Sequence, residues 1–234
     1  MKTTKIISTF TSLQLAALTA LAQGSFQNLD FESANLSNPS GMYNEVPIAN
    51  ALPGWNGSIG GVPVSHVWAD GDSAGTATID VLGPGWNTVN PGIIDGNYTV
   101  YLQAFNTGQG NVSLWQTGTI PANAESLQFS AWQFPSANQA FSVSFAGNSL
   151  SPVLLSSGQN PSGQTYDVYG VNIAPYAGQT GQIEFTSLAG NGEAGLELDD
   201  ITFSQNAIPE PGTLALFVMG GLAFGVRRWR AKGT

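Results

Sequence analysis

Two tryptophans stand in closely similar surroundings: Trp55 in Pro53-Gly54-Trp55-Asn56-Gly57 and Trp86 in Gly83-Pro84-Gly85-Trp86-Asn87. An indole in a loop offers a flat apolar face to the C–H side of a sugar ring, while neighbouring amides bond its hydroxyls. The pair reads as a platform for a neutral glycan. Trp115 and Trp132 fall in strand-like runs and read as core. A second group is acidic and lies in Leu196-Glu197-Leu198-Asp199-Asp200-Ile201-Thr202-Phe203. Leu196 and Leu198 share one strand face, whereas Ile201 and Phe203 have the opposite parity. Burying all four therefore needs a bulge at Asp199-Asp200, and a bulge bearing two carboxylates can aim one at a cation.

Other constellations are weaker. Asp70-Gly71-Asp72-Ser73-Ala74-Gly75 shares the start of an EF-hand loop, but Ala74 takes a ligand position and Val81 stands where a bidentate Glu belongs. It reads as a turn. His66 is the single histidine, four residues before Asp70, and no G-x-S-x-G supplies a nucleophile for it. Cysteine is absent, which excludes disulfides, thiolate metal sites and thiol catalysis. Fifteen acids make some glycosidase-like pair inevitable, so such a pair carries no weight. The expectation is a protein that is not an enzyme, with glycan hydrolysis or elimination as the third-ranked reading.

These groups must be positioned by strands. Short alternating runs bounded by Gly, Pro, Asn and Ser recur along the chain, and helical periodicity is scarce. The pattern predicts strands at Phe26–Phe31, Thr76–Leu82, Tyr98–Phe105, Val112–Gln116 and Ser126–Gln133. It predicts further strands at Phe141–Ala146, Val153–Leu155, Tyr166–Val171, Gln182–Thr186 and Leu196–Phe203. Phe141, Val143 and Phe145 alternate with serines, describing one buried and one wet face, and Gly147-Asn148 can supply the hairpin turn. Such a set of strands over residues 23–206 indicates an all-β, antiparallel β-sandwich of jelly-roll type.

Charge is distributed unevenly. All six basic residues lie at the ends: Lys2 and Lys5, then Arg227, Arg228, Arg230 and Lys232. Between these clusters lie all fifteen carboxylates, giving that stretch a formal charge of −15. Nucleic acid is excluded as a partner, because no cation there can replace phosphate counterions. Acidic polymers are repelled for the same reason. Charged residues are only 9% of the chain, so solubility rests on Ser, Thr, Asn and Gln.

Each basic cluster adjoins an apolar stretch. Lys2 and Lys5 precede an uncharged run that ends in Ala20-Leu21-Ala22, the small-x-small pattern of a signal peptidase site, so residues 1–22 read as a signal peptide. At the other end Pro209-Glu210-Pro211 precedes an apolar run that reads as a short transmembrane helix over about 212–228. The arginines Arg227, Arg228 and Arg230 hold its end in the cytoplasm, which leaves the body outside the inner membrane.

This order of Pro-Glu-Pro, short apolar helix and Arg cluster resembles the PEP-CTERM sorting signal of Gram-negative bacteria, over residues 207–234. The resemblance implies processing by an exosortase, a membrane cysteine transpeptidase, and a place at the cell surface or in an exopolysaccharide or biofilm matrix. Within the body, Asn28-Leu29-Asp30-Phe31-Glu32, Ile120-Pro121-Ala122 before Leu127-Gln128-Phe129-Ser130, and residues 196–203 resemble strands of carbohydrate-binding-module-like jelly rolls. In those folds a structural calcium joins the first and last strands, which implies Glu32 with Asp199 or Asp200 as ligands here. The reading is an exported envelope or matrix protein with a structural or interaction role. Its alternative is a module that holds neutral exopolysaccharide.

Overall fold

The computed structural model describes residues 25–71, 75–86, 88, 92–105, 109–134, 141–190 and 192–208. The expected signal peptide and transmembrane helix lie outside the described residues. Among the described residues fourteen strands, numbered in chain order, form two sheets. The larger runs in the order β1 (Val46–Pro47), β4 (His66–Ala69), β5 (Thr78–Leu82), β6 (Thr99–Phe105), β14 (Glu193–Ser204), β8 (Ser126–Phe134), β12 (Thr165–Asn172) and β11 (Val153–Gln159). The smaller runs β10 (Asn148–Leu150), β9 (Phe141–Phe145), β13 (Thr180–Ser187), β7 (Val112–Thr119), β2 (Asn56–Ile59) and β3 (Val62–Pro63). All neighbours are antiparallel except β4 and β5. A short helix, α1 (Ile48–Ala51), and a 3-10 turn at Ala174–Tyr176 are the other elements among the described residues.

From β6 to β9 the chain alternates between the sheets, and β13 and β14 do so again, which is how a jelly-roll sandwich is wound. The alternating apolar residues meet in one core. Leu114 and Phe185 pair across β7 and β13, Leu102 and Leu196 across β6 and β14, and all four are fully buried. Phe129 of the larger sheet meets Phe185 of the smaller edge-on, with ring centroids 5.2 Å apart.

Nine of the ten expected strands form, and the tenth shows why pattern alone misleads. Residues 26–31 are not a strand, because Asn28 and Phe31 take φ of 50° and 55°. Their backbone is instead satisfied by side chains and by the last strand. The Gln116 side chain accepts from the Gln27 N–H and donates to its carbonyl, both at 2.9 Å, in place of a strand neighbour. The Leu29 carbonyl accepts from the Ile201 N–H at 3.0 Å. That bond exists because β14 is bulged as expected: register slips between Asp199 and Thr202, with Asp200 at φ 49°. The extra residue buries both Leu198 and Ile201 despite their parity. The β9–β10 turn forms one residue earlier than expected, with positive φ at Ala146 and Gly147.

Candidate functional site

The alternation that points Leu196 and Leu198 inward turns Glu197 and Asp199 onto the outer face of the larger sheet. Strand register then sets a row across five strands: Trp68, Asp80, Tyr101, Glu197 and Trp132. An outer face is ordinarily wet, yet Asp80 and Glu197 are fully buried, and Tyr101 and Asp199 nearly so. The cover comes from residues 92–99 and the turn at 160–164. Glu197 accepts from the Gly92 N–H at 2.6 Å and from Gln164 Nε2 at 2.8 and 2.9 Å. Asp199 accepts from Thr99 Oγ1 at 2.6 Å, and from the Asp95 N–H at 3.3 Å. Asn160 ties the two covers together by donating to the Ile93 carbonyl at 2.7 Å.

Burial in this setting disfavours charge. Desolvation pushes Asp80 up to about 8, opposed by the Gly71 N–H bond and reinforced by the charge of Asp70. Glu197 rises to about 8 through burial, although Gln164 and Gly92 hold it down in part. Asp199 is likewise pushed up to about 8 by burial, against the bond from Thr99. Tyr101 is raised well above its usual range, by burial first and then by Glu193, Glu197 and Asp80. Asp80 Oδ2 accepts from the Gly71 N–H at 3.1 Å, whereas Oδ1 is buried and unpaired. These acids fasten loops to a sheet. Their oxygens are turned to protein donors or sealed beneath the cover.

The other expected groups separate. Trp55 is 3% exposed: its ring packs on Phe31 and Phe185, and its Nε1 donates to the Asn28 carbonyl at 2.9 Å. It is a core residue rather than a glycan platform, because the turn that carries it folds inward over the sandwich end. Trp86 is half-buried in the turn that its N–H closes onto the Gly83 carbonyl. Glu32 accepts from the backbone N–H of Asn97 and Tyr98 at 2.7 and 2.9 Å and from Asn97 Nδ2. Asp200 is raised by burial and by the charges of Asp95, Asp30 and Glu32. Glu32 is bonded to Asn97 and Tyr98 and Asp199 to Thr99, while the charge of Glu32 reaches Asp200. Among the described residues no group of three or more His, Cys, Asp or Glu is placed to hold a metal ion.

Trp115 and Trp132 also correct the sequence reading. Both are half-buried on outer faces, opposite the inward Leu114 and Ala131. Trp132 stacks with the exposed Phe134 at 6.4 Å, and Trp68 stacks with the exposed Tyr43 at 4.1 Å and 11°. The sequence signal for Trp115 was available in its parity against Leu114. No such signal existed for the Tyr43–Trp68 contact, which joins a loop tip to a strand.

The body ends close to the tail. Ser126 Oγ donates to the Asn206 carbonyl at 2.8 Å, and the Ile208 side chain lies over Gly170 of β12. Pro209-Glu210-Pro211, the apolar run and the arginines follow in sequence. The chain carries a PEP-CTERM sorting motif. Residues 207–230 match the PEP-CTERM protein-sorting motif. Comparison with curated proteins finds no match by sequence. Among solved structures, the enzymatically active domain of bacteriophage CBA120 tailspike protein 4 is similar at 13% identity and a TM-score of 0.38, covering 77% of this chain and 21% of that one. TmCBM61 in complex with β-1,4-galactotriose is similar at 14% identity and a TM-score of 0.39, covering 79% of this chain and 99% of that one.

Proposed function

We propose that this chain is an exported cell-envelope or extracellular-matrix protein, handled by an exosortase through its PEP-CTERM tail, whose β-sandwich has a non-enzymatic interaction role outside the cytoplasm. The observation that carries this reading is the sorting motif at residues 207–230, which begins directly after the last strand. The arginines that close the tail keep its end cytoplasmic, and the body between the two basic clusters holds none that would resist translocation.

A reporter active only outside the cytoplasm, inserted after Asn206 of the full chain, tests the topology. Activity is expected in intact cells, and replacing Arg227, Arg228 and Arg230 with Ser is expected to reduce retention at the envelope. A reporter that works only in the cytoplasm overturns the proposal.

A further inference from the structure

We infer that the edge of the larger sheet formed by β11 and β12, around Leu154, Leu155 and Ile208, rests on the lipid surface into which the tail runs. The inference depends on the reading of residues 212–228 as a membrane helix, and it adds which side of the body meets the bilayer.

The course of the chain supplies the first constraint. After β14 the backbone does not leave the body at once. Ser126 Oγ holds the Asn206 carbonyl at 2.8 Å, and Ile208 folds back onto the outer face at Gly170. A Cβ at Gly170 would meet Ile208 Cδ1 at 2.7 Å and Leu155 Cδ1 at 2.9 Å, so the missing side chain makes the seat. Gly170 pairs with Val153 of β11, and Leu155 is the extra residue where the β11–β12 register slips between Leu154 and Ser156. Four peptide steps then lead from Ile208 to position 212. Fully extended they cover about 14 Å, of which the headgroup layer takes about 6 Å. The strands that seat Ile208 are thereby kept close to the bilayer.

The second constraint is the chemistry around that seat. Leu154 and Leu155 are 55% and 37% exposed on a strand that, among the described strands, is bonded only to β12. No charged residue occurs from Ser126 to Tyr166, so all fifteen acids of the body fall outside the stretch that carries β11. Of the two acids that bound it, Asp167 accepts from Ser157 Oγ at 2.6 Å, three positions along β11 from Leu154, and Glu125 lies at the start of β8. A leucine gains by entering the acyl boundary, whereas a carboxylate there loses its hydration. The free backbone groups of β11 stay hydrated among the headgroups, and only the leucine side chains reach below them.

The chain has no cysteine, so Leu154→Cys gives full-length protein a single thiol for an environment-sensitive fluorophore. Val62→Cys is the control. Val62 is 68% exposed on β3, which pairs with β2, and β2 backs onto Ile79 of β5 on the opposite side of the sandwich. Each labelled protein is reconstituted in phosphatidylcholine vesicles, floated, and measured with and without brominated phosphatidylcholine, which quenches on contact. The label on Leu154→Cys is expected to lose most of its emission, and the label on Val62→Cys to keep its own. Protein that fails to float with the vesicles overturns the tail reading and this inference with it. Floating protein whose two labels are equally bright, or equally quenched, overturns this inference alone. Emission at Leu154→Cys that follows the ratio of protein to lipid, and not the brominated lipid, places a second copy on the edge and overturns it as well.

Discussion

Asp80 offers a direct test of how the loops are fastened over the larger sheet. Its side chain is fully buried between Trp68 and Tyr101, with one oxygen bonded to the Gly71 N–H and the other unpaired. Burial raises it from an ordinary 3.8 to about 8. The folded protein thus holds a proton on Asp80 at pH values where the unfolded chain has released it. Stability from this group is complete below about pH 4 and is lost as pH rises toward 8, because the native state binds more protons through that window. At 1.36 kcal/mol per pH unit the ceiling for the loss is about 6 kcal/mol. Asp80→Asn reproduces the shape of the neutral acid and keeps the Gly71 bond. At pH 4 the variant and the wild type should therefore melt within about 1 kcal/mol of each other. By pH 9 the variant should be more stable by several kcal/mol, or on the order of 10 °C for a domain of this size. Glu197 and Asp199 are raised in the same direction by burial, so the bonds that hold residues 92–99 over the sheet should weaken together as pH rises toward 8. Melting curves of both proteins from pH 4 to 9 decide the matter. A gap that stays constant across that range refutes the account.

Two further outcomes follow from the same packing. Trp55→Ala should cost about 3–5 kcal/mol in chemical denaturation, as a buried aromatic does, and a loss below 1 kcal/mol would show that the indole is not in the core. Glu32→Gln should lower stability by about 1–2 kcal/mol by weakening the bonds from Asn97 and Tyr98, equally in calcium and in chelator. A loss seen only in calcium would restore the metal reading of Glu32 and Asp200.

The fold was legible wherever alternation had one consistent cause. Phe141, Val143 and Phe145 bury one face of β9, and the broken parity of β14 foretold its bulge at Asp199-Asp200. Where backbone partners come from side chains, pattern fails: residues 26–31 look like a strand because Leu29 and Phe31 are buried, but Gln116 does the pairing. The site was less legible, for a related reason. Trp55 and Trp86 sit in nearly the same pentapeptide, yet one turn folds into the core and the other stays at the surface, a difference set by distant residues such as Asn28. Glu197 and Asp199 were assignable to an outer face from parity, but their burial depends on loops that precede Glu197 by 105 and 33 residues, at Gly92 and Gln164. The sorting tail, by contrast, is written locally and needs no tertiary context.

The bond from Ile201 to Leu29 also has a consequence for timing. In a chain that leaves the cytoplasm amino terminus first, residues 26–31 emerge early but find no resting place until β7 and finally β14 have followed. Pro209 comes only eight positions after Ile201, so the closing contact is made by residues that directly precede the sorting motif. A truncation that removes β14 along with the tail would leave residues 26–31 without their partner, while the finished body holds Ile208, at the start of the motif, against β12.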